Sequence, residues 1–112
     1  MMKHAQVPQA RARVLRRLPD VSQIVRGSLL KRLIRHRQGC PRCAGGGGHP
    51  VWVLSVGYRG GRTRQLSLHA AQVPQVRAWL ANFRRLKAAV ERVCELNQRL
   101  LRPESPAARR RA

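Results

Sequence analysis

The residues with the most chemistry in this chain stand close together: His36, Cys40, Cys43 and His49, spaced His-x3-Cys-x2-Cys-x5-His. Two thiolates two residues apart can face one ion, which makes a Cys-x2-Cys pair the usual first half of a structural zinc site. His36 and His49 complete a tetrahedral set. Pro41 and Arg42 make the tight turn between the thiolates, and Gly45, Gly46, Gly47 and Gly48 let the chain double back on itself. Other uses of the same residues are a reduced or redox-active pair and a plain flexible loop. Cys94 and His69 are reserve ligands. The cofactor expected is zinc in a structural role.

Arginines crowd this loop and the segment after it. Arg32, Arg35, Arg37 and Arg42 flank or enter the loop, and Arg59, Arg62 and Arg64 follow. Over 112 residues, 24 Lys plus Arg face 4 Asp plus Glu, a formal net charge of +20. Such a surplus attracts polyanions, and guanidinium suits phosphate through bidentate hydrogen bonds, so nucleic acid, DNA or RNA, is the expected partner. A codon bias toward Arg accounts for the Arg-to-Lys ratio better than for the scarcity of acids. Trp52 or Tyr58, if exposed, can stack on a base.

The elements that must position these residues are read from pattern and punctuation. Val51 to Tyr58 is rich in strand formers, Arg64 to His69 alternates polar with apolar, and Arg59, Gly60, Gly61 and Arg62 make the turn between them. That pattern predicts a β-hairpin with a basic tip. Ser28 to Arg35 places Leu29, Leu30, Leu33 and Ile34 on one helical face, so periodicity alone predicts a helix there. Before it, residues 1 to about 10 are expected to be a loose arm and Ala10 to Leu18 a short basic helix. Asp20 or Ser22 is expected to cap a second short helix that ends at Gly27.

From Pro74 to Pro103 the pattern is that of one long helix. Val76, Trp79, Phe83, Leu86, Val90, Val93, Asn97 and Leu100 fall at alternating spacings of three and four, a heptad seam with Asn97 at an a-type position. Leu80, Ala89, Leu96 and Leu101 widen the stripe. Packing onto the hairpin therefore competes with pairing to a partner helix. Arg85, Arg92 and Arg99 recur every seven residues on the outer face, with Arg77 and Arg84 beside them.

The expected organisation is a basic N-terminal arm (1–19), a small β-rich domain with the zinc loop (20–72), an amphipathic helix (73–102) and a disordered basic tail (103–112). The fold class is α+β: a small antiparallel sheet of two or three strands, short N-terminal helices and one long C-terminal helix.

Gly27-Ser28-Leu29, the Cys-containing loop, His49-Pro50, the Gly-Gly-Arg hairpin turn and the helix carrying Glu95-Leu96-Asn97 together resemble an uncharacterised family of small bacterial proteins, a domain of unknown function. The resemblance covers roughly residues 20–101. It implies a strand over Ser28 to Arg35, an antiparallel sheet with the Cys/His loop between its first two strands, and a neighbourhood of mobile-element or transposase proteins. The chain departs from the family pattern at His36, which replaces a Cys, at Cys40, displaced by one position, at Pro50, which follows His49 without a Gly, and at Arg62, in place of a turn Lys. The resemblance implies no activity.

An enzyme is the least supported class. Asp20, Glu91, Glu95 and Glu104 form no paired carboxylates near the loop, and Gly45 to Gly48 lack the Lys-Ser or Lys-Thr of a phosphate loop. The first reading is a basic nucleic-acid-binding protein. The alternative is a protein–protein interaction module acting through the heptad helix, as a homodimer or with an acidic partner. No apolar run approaches the ~20 residues that span a bilayer, and no signal-peptide segment follows the first Met, so no membrane association and a cytoplasmic location are expected. Three cysteines fit a reducing compartment.

Overall fold

The computed structural model of the chain describes residues 3–34 and 49–102. The chain divides into two compact units, residues 24–81 and, from its two ends, residues 1–23 with 82–112.

The first of these is built on a three-stranded antiparallel sheet in the order β1-β2-β3, with β1 Ser28–Ile34, β2 His49–Gly57 and β3 Thr63–Leu68. The β-branched and aromatic residues of β2 suit a central strand, and strand alternation sends its even-numbered side chains to one face. On that face Leu54 and Val56 are buried with Val76 and Leu80 of the long helix α2, Val73–Leu100, and Val25, Leu29 and Leu68 pack against them. The register sets this face, since Leu29 and Leu66 flank Leu54 while Trp52 stands beside Leu68. The Val25 amide donates to the Trp79 carbonyl at 3.3 Å, tying the lead-in of β1 to the helix. A short 3-10 turn, Ala70–Gln72, opens α2, and Pro74 falls in its first turn, where a missing N–H costs nothing.

In the second unit the helix α1, Val7–Arg16, lies against residues of α2. Val7 and Leu96 are fully buried, Ala10 nearly so, and Val14 packs beside them. Arg11 Nη1 donates to Asn97 Oδ1 at 2.9 Å, Arg85 Nη2 reaches the Arg17 carbonyl at 3.5 Å, and Asn82 Nδ2 donates to the Gln23 carbonyl at 3.0 Å.

The α+β class, the antiparallel sheet, the hairpin and the long helix agree with expectation. Three local expectations do not. The N-terminal helix starts at Val7, inside the segment read as a loose arm, because Val7 and Ala10 have Leu96 to pack on and Pro8 is tolerated in a first turn. Residues 20–23 form a turn and not a helix start: Asp20 Oδ1 accepts from the Ser22 amide at 2.9 Å and the Ser22 hydroxyl at 2.7 Å, which uses up the capping group locally. Residues 28–34 form a strand, as the family resemblance implies, since pairing with β2 overrides the helical spacing of the leucines. The basic tail, 103–112, lies outside the described residues. Among those residues, no helix is long and apolar enough to cross a membrane.

Candidate nucleic-acid interface

The turn between β2 and β3 builds a basic concavity in the sheet unit. Gly57 closes β2 opposite Thr63, and the Tyr58 amide donates to the Arg62 carbonyl at 2.7 Å across the loop. The turn needs two consecutive left-handed residues, and Gly60 (φ 80°) and Gly61 (φ 78°) supply them. Arg59 and Arg62 are thereby held on either side of the glycines, with Arg64 one strand position beyond Thr63.

A fourth guanidinium arrives from elsewhere in the chain. Gly27 has φ +134°, and a Cβ on it would lie 2.7 Å from the Ser55 carbonyl oxygen and 3.1 Å from Leu54 Cδ1. Only glycine lets the backbone come so close to β2, and that approach delivers Arg26 to the turn. Arg26 Nη1 donates to the Gly57 carbonyl at 2.6 Å, and its guanidinium carbon lies 4.8 Å from the centroid of the Tyr58 ring. Tyr58 remains 48% exposed. The result is an open cleft lined by Arg26, Gly57, Tyr58, Arg59, Arg62, Thr63 and Arg64, with no carboxylate among the described residues that line it.

The sequence-predicted residues divide three ways. Arg59, Arg62 and Arg64 come together in the cleft. Arg32 is exposed on β1 but pairs with Val51, six residues along β2 from Gly57 (57 − 51), or roughly 20 Å at the rise of a strand. Arg35, Arg37 and Arg42 lie outside the described residues. Arg26 and Thr63 are the lining residues that sequence reasoning missed, and the Arg26-Gly27 step ahead of a strand was the available signal. The other stacking candidate, Trp52, is half-buried between two cations, with Lys31 Nζ 5.4 Å and Arg77 Cζ 5.5 Å from its ring centroid.

Of the expected zinc ligands, His36, Cys40 and Cys43 lie outside the described residues, while His49 opens β2 directly opposite Ile34. Among the described residues no three His, Cys, Asp or Glu side chains gather as a metal site. Cys94 is exposed on α2, and His69 is exposed with its amide donating to Gln72 Oε1 at 3.0 Å.

The heptad seam of α2 is shared out. Val76 is core of the sheet unit, where Trp79 is half-buried. In the helical unit Phe83 is half-buried with Lys87 Nζ 6.0 Å from its ring centroid, and Leu86 and Val93 are also half-buried. Val90 and Leu100 are exposed, and Asn97 is occupied by Arg11. Of the basic stripe, Arg92 pairs with Glu95 at 3.3 Å, an exposed contact of little energetic weight.

Residues 4–78 match the model of a family described as a domain of unknown function, DUF6788, and the chain belongs to that family. The match takes in α1, the sheet and the first turns of α2, and so begins and ends earlier than the 20–101 span of the resemblance. No curated protein and no solved structure matches the chain.

Proposed function

We propose that this protein binds nucleic acid, DNA or RNA, with the cleft at the β2–β3 turn as a phosphate-recognition site. The observation that carries the reading is the convergence of Arg26, Arg59, Arg62 and Arg64 on one open concavity with no carboxylate among its described lining residues. Like charges gathered in this way repel one another, and a polyanion relieves that repulsion. The formal charge of +20 supports the same partner class. Binding proceeds by neutralising phosphates and releasing their counterions, which gives little sequence preference and a steep dependence on salt. Zinc held by His36, Cys40, Cys43 and His49 belongs to this reading as a structural element.

Titrating a labelled oligonucleotide at several salt concentrations tests the proposal. The logarithm of the association constant falls linearly with that of salt concentration, and Arg59→Ala and Arg62→Ala each reduce the slope by about one. Affinity that does not change with salt, or slopes unaltered in both variants, would sink it.

A further inference from the structure

We infer that the nucleic-acid strand held in the cleft continues along the sheet to a second cationic cluster, Lys31, Trp52 and Arg77, and that this strand is single. The inference rests on the nucleic-acid reading and extends its site. The antiparallel register puts both ends of the path on one face. Lys31, Trp52 and Leu68 stand in one row across the sheet, Leu29, Leu54 and Leu66 in the next, and Val56 with Arg64 in the third. Directly paired residues project to the same side of a sheet, as do residues two apart along a strand. Arg64 of the cleft therefore shares its face with Lys31 and Trp52. Four residues separate Arg64 from Leu68 along β3 (68 − 64), roughly 13 Å at the rise of a strand. About four stacked nucleotides cover that distance, at roughly 3.4 Å each along one strand. Between the ends lies Leu66, 45% exposed on an edge strand.

The chemistry of the second cluster matches that of the first. Lys31 Nζ and Arg77 Cζ lie 5.4 Å and 5.5 Å from the Trp52 ring centroid, and both cationic side chains are exposed. An aromatic face holds a cation in position without neutralising it, so two like charges at one indole still repel each other. No Asp or Glu occurs between Asp20 and Glu91, and the sheet unit, residues 24–81, therefore has no carboxylate of its own to pair with them. A phosphate supplies that counter-charge through charge-assisted hydrogen bonds. The side chain between the clusters selects the form of the nucleic acid. Leu66 has no donor to offer a duplex backbone, whereas an unpaired strand can turn its bases toward apolar and aromatic side chains and its phosphates toward the cations.

The test titrates the full chain with a labelled oligothymidylate of about twelve nucleotides at several salt concentrations. Lys31→Ala and Arg77→Ala each lower the salt slope by about one. Arg32→Ala, next to Lys31 on β1 but on the opposite face, leaves the slope unchanged. In Trp79→Phe the remaining tryptophan is Trp52, and its emission changes as the oligonucleotide saturates the protein. Slopes unaltered in both Lys31→Ala and Arg77→Ala, while Arg59→Ala still lowers its own, overturn the inference and leave the cleft standing. Trp52 emission that stays constant while binding persists does the same. A slope lowered as much by Arg32→Ala assigns the effect to overall charge and likewise overturns it. Binding that ignores salt in every variant removes the nucleic-acid reading itself, and this inference with it.

Discussion

The guanidinium of Arg26 lies 4.8 Å from the centroid of the Tyr58 ring while its Nη1 donates to the Gly57 carbonyl at 2.6 Å. A cation on one face of a half-exposed ring holds the ring in place as a platform. The platform stands among Arg59, Arg62 and Arg64, and under the proposed function it would stack on a base whose phosphate these arginines hold.

Replacing Tyr58 tests the platform. Tyr58→Leu weakens binding of a single-stranded oligonucleotide by about 1–3 kcal/mol, while Tyr58→Phe stays close to wild type because the ring remains. Duplex binding, which draws on phosphates alone, changes little. Fluorescence anisotropy with matched single and double strands reads all three. Equal losses in the Leu and Phe variants would assign the effect to the hydroxyl.

Gly27 and Gly60 separate close packing from backbone strain. Gly27→Ala puts a methyl 2.7 Å from the Ser55 carbonyl at φ +134°, whereas Gly60→Ala meets nothing within 4 Å at φ 80°. Gly60→Ala costs about 1–2 kcal/mol from its left-handed conformation alone. Gly27→Ala costs more and also loosens Arg26, so it lowers both the urea midpoint and the affinity for nucleic acid. Similar midpoints in the two variants would contradict the close approach.

The Asp20 carboxyl titrates below the ordinary aspartate range because the Ser22 hydroxyl and then the Ser22 amide donate to it. With the folded value lowered, the stabilisation from this turn is fully present above the ordinary aspartate value and is lost as pH falls through the folded one. Carboxyl NMR titration gives the lowered value directly. Ser22→Ala moves it upward, and an unmoved titration would remove Ser22 as the cause.

Zinc content of the purified, untagged protein tests the His36-x3-Cys40-x2-Cys43-x5-His49 spacing. The expected result is near-stoichiometric zinc, lost in both Cys40→Ser and His49→Ala. Metal-free protein from reducing, chelator-free preparation would leave the loop without its proposed ligand.

What could be read in advance followed the range of the interactions concerned. The hairpin was legible because its alternation, its Gly-Gly turn and its pairing all lie within twenty-odd consecutive residues, and Arg59, Arg62 and Arg64 came with it. β1 was hidden from periodicity, though not from the family resemblance, since Leu29, Leu30, Leu33 and Ile34 carry helical spacing and become a strand only beside Leu54 and Val53. Arg26 was hidden for a related reason, as its partners Gly57 and Tyr58 are far along the chain and meet it only through Gly27. Asn97 was recognised as a polar interruption of an apolar seam, but Arg11, 86 residues earlier, holds its oxygen within the same chain. Local pattern locates such a residue without naming what it binds.

Gly60 also bears on the handedness of the chain. Its φ of 80° is ground that L-residues avoid, and space is open where an L-side chain would project. A mirror-image amino acid favours that region, so a D-alanine installed at position 60 by chemical ligation suits this backbone better than its L-counterpart. By narrowing the unfolded ensemble it stiffens the loop between Arg59 and Arg62, with an expected gain of about 0.4–1 kcal/mol. The tip of the hairpin is thus a place where synthesis can fix the spacing of two cationic side chains without altering either of them.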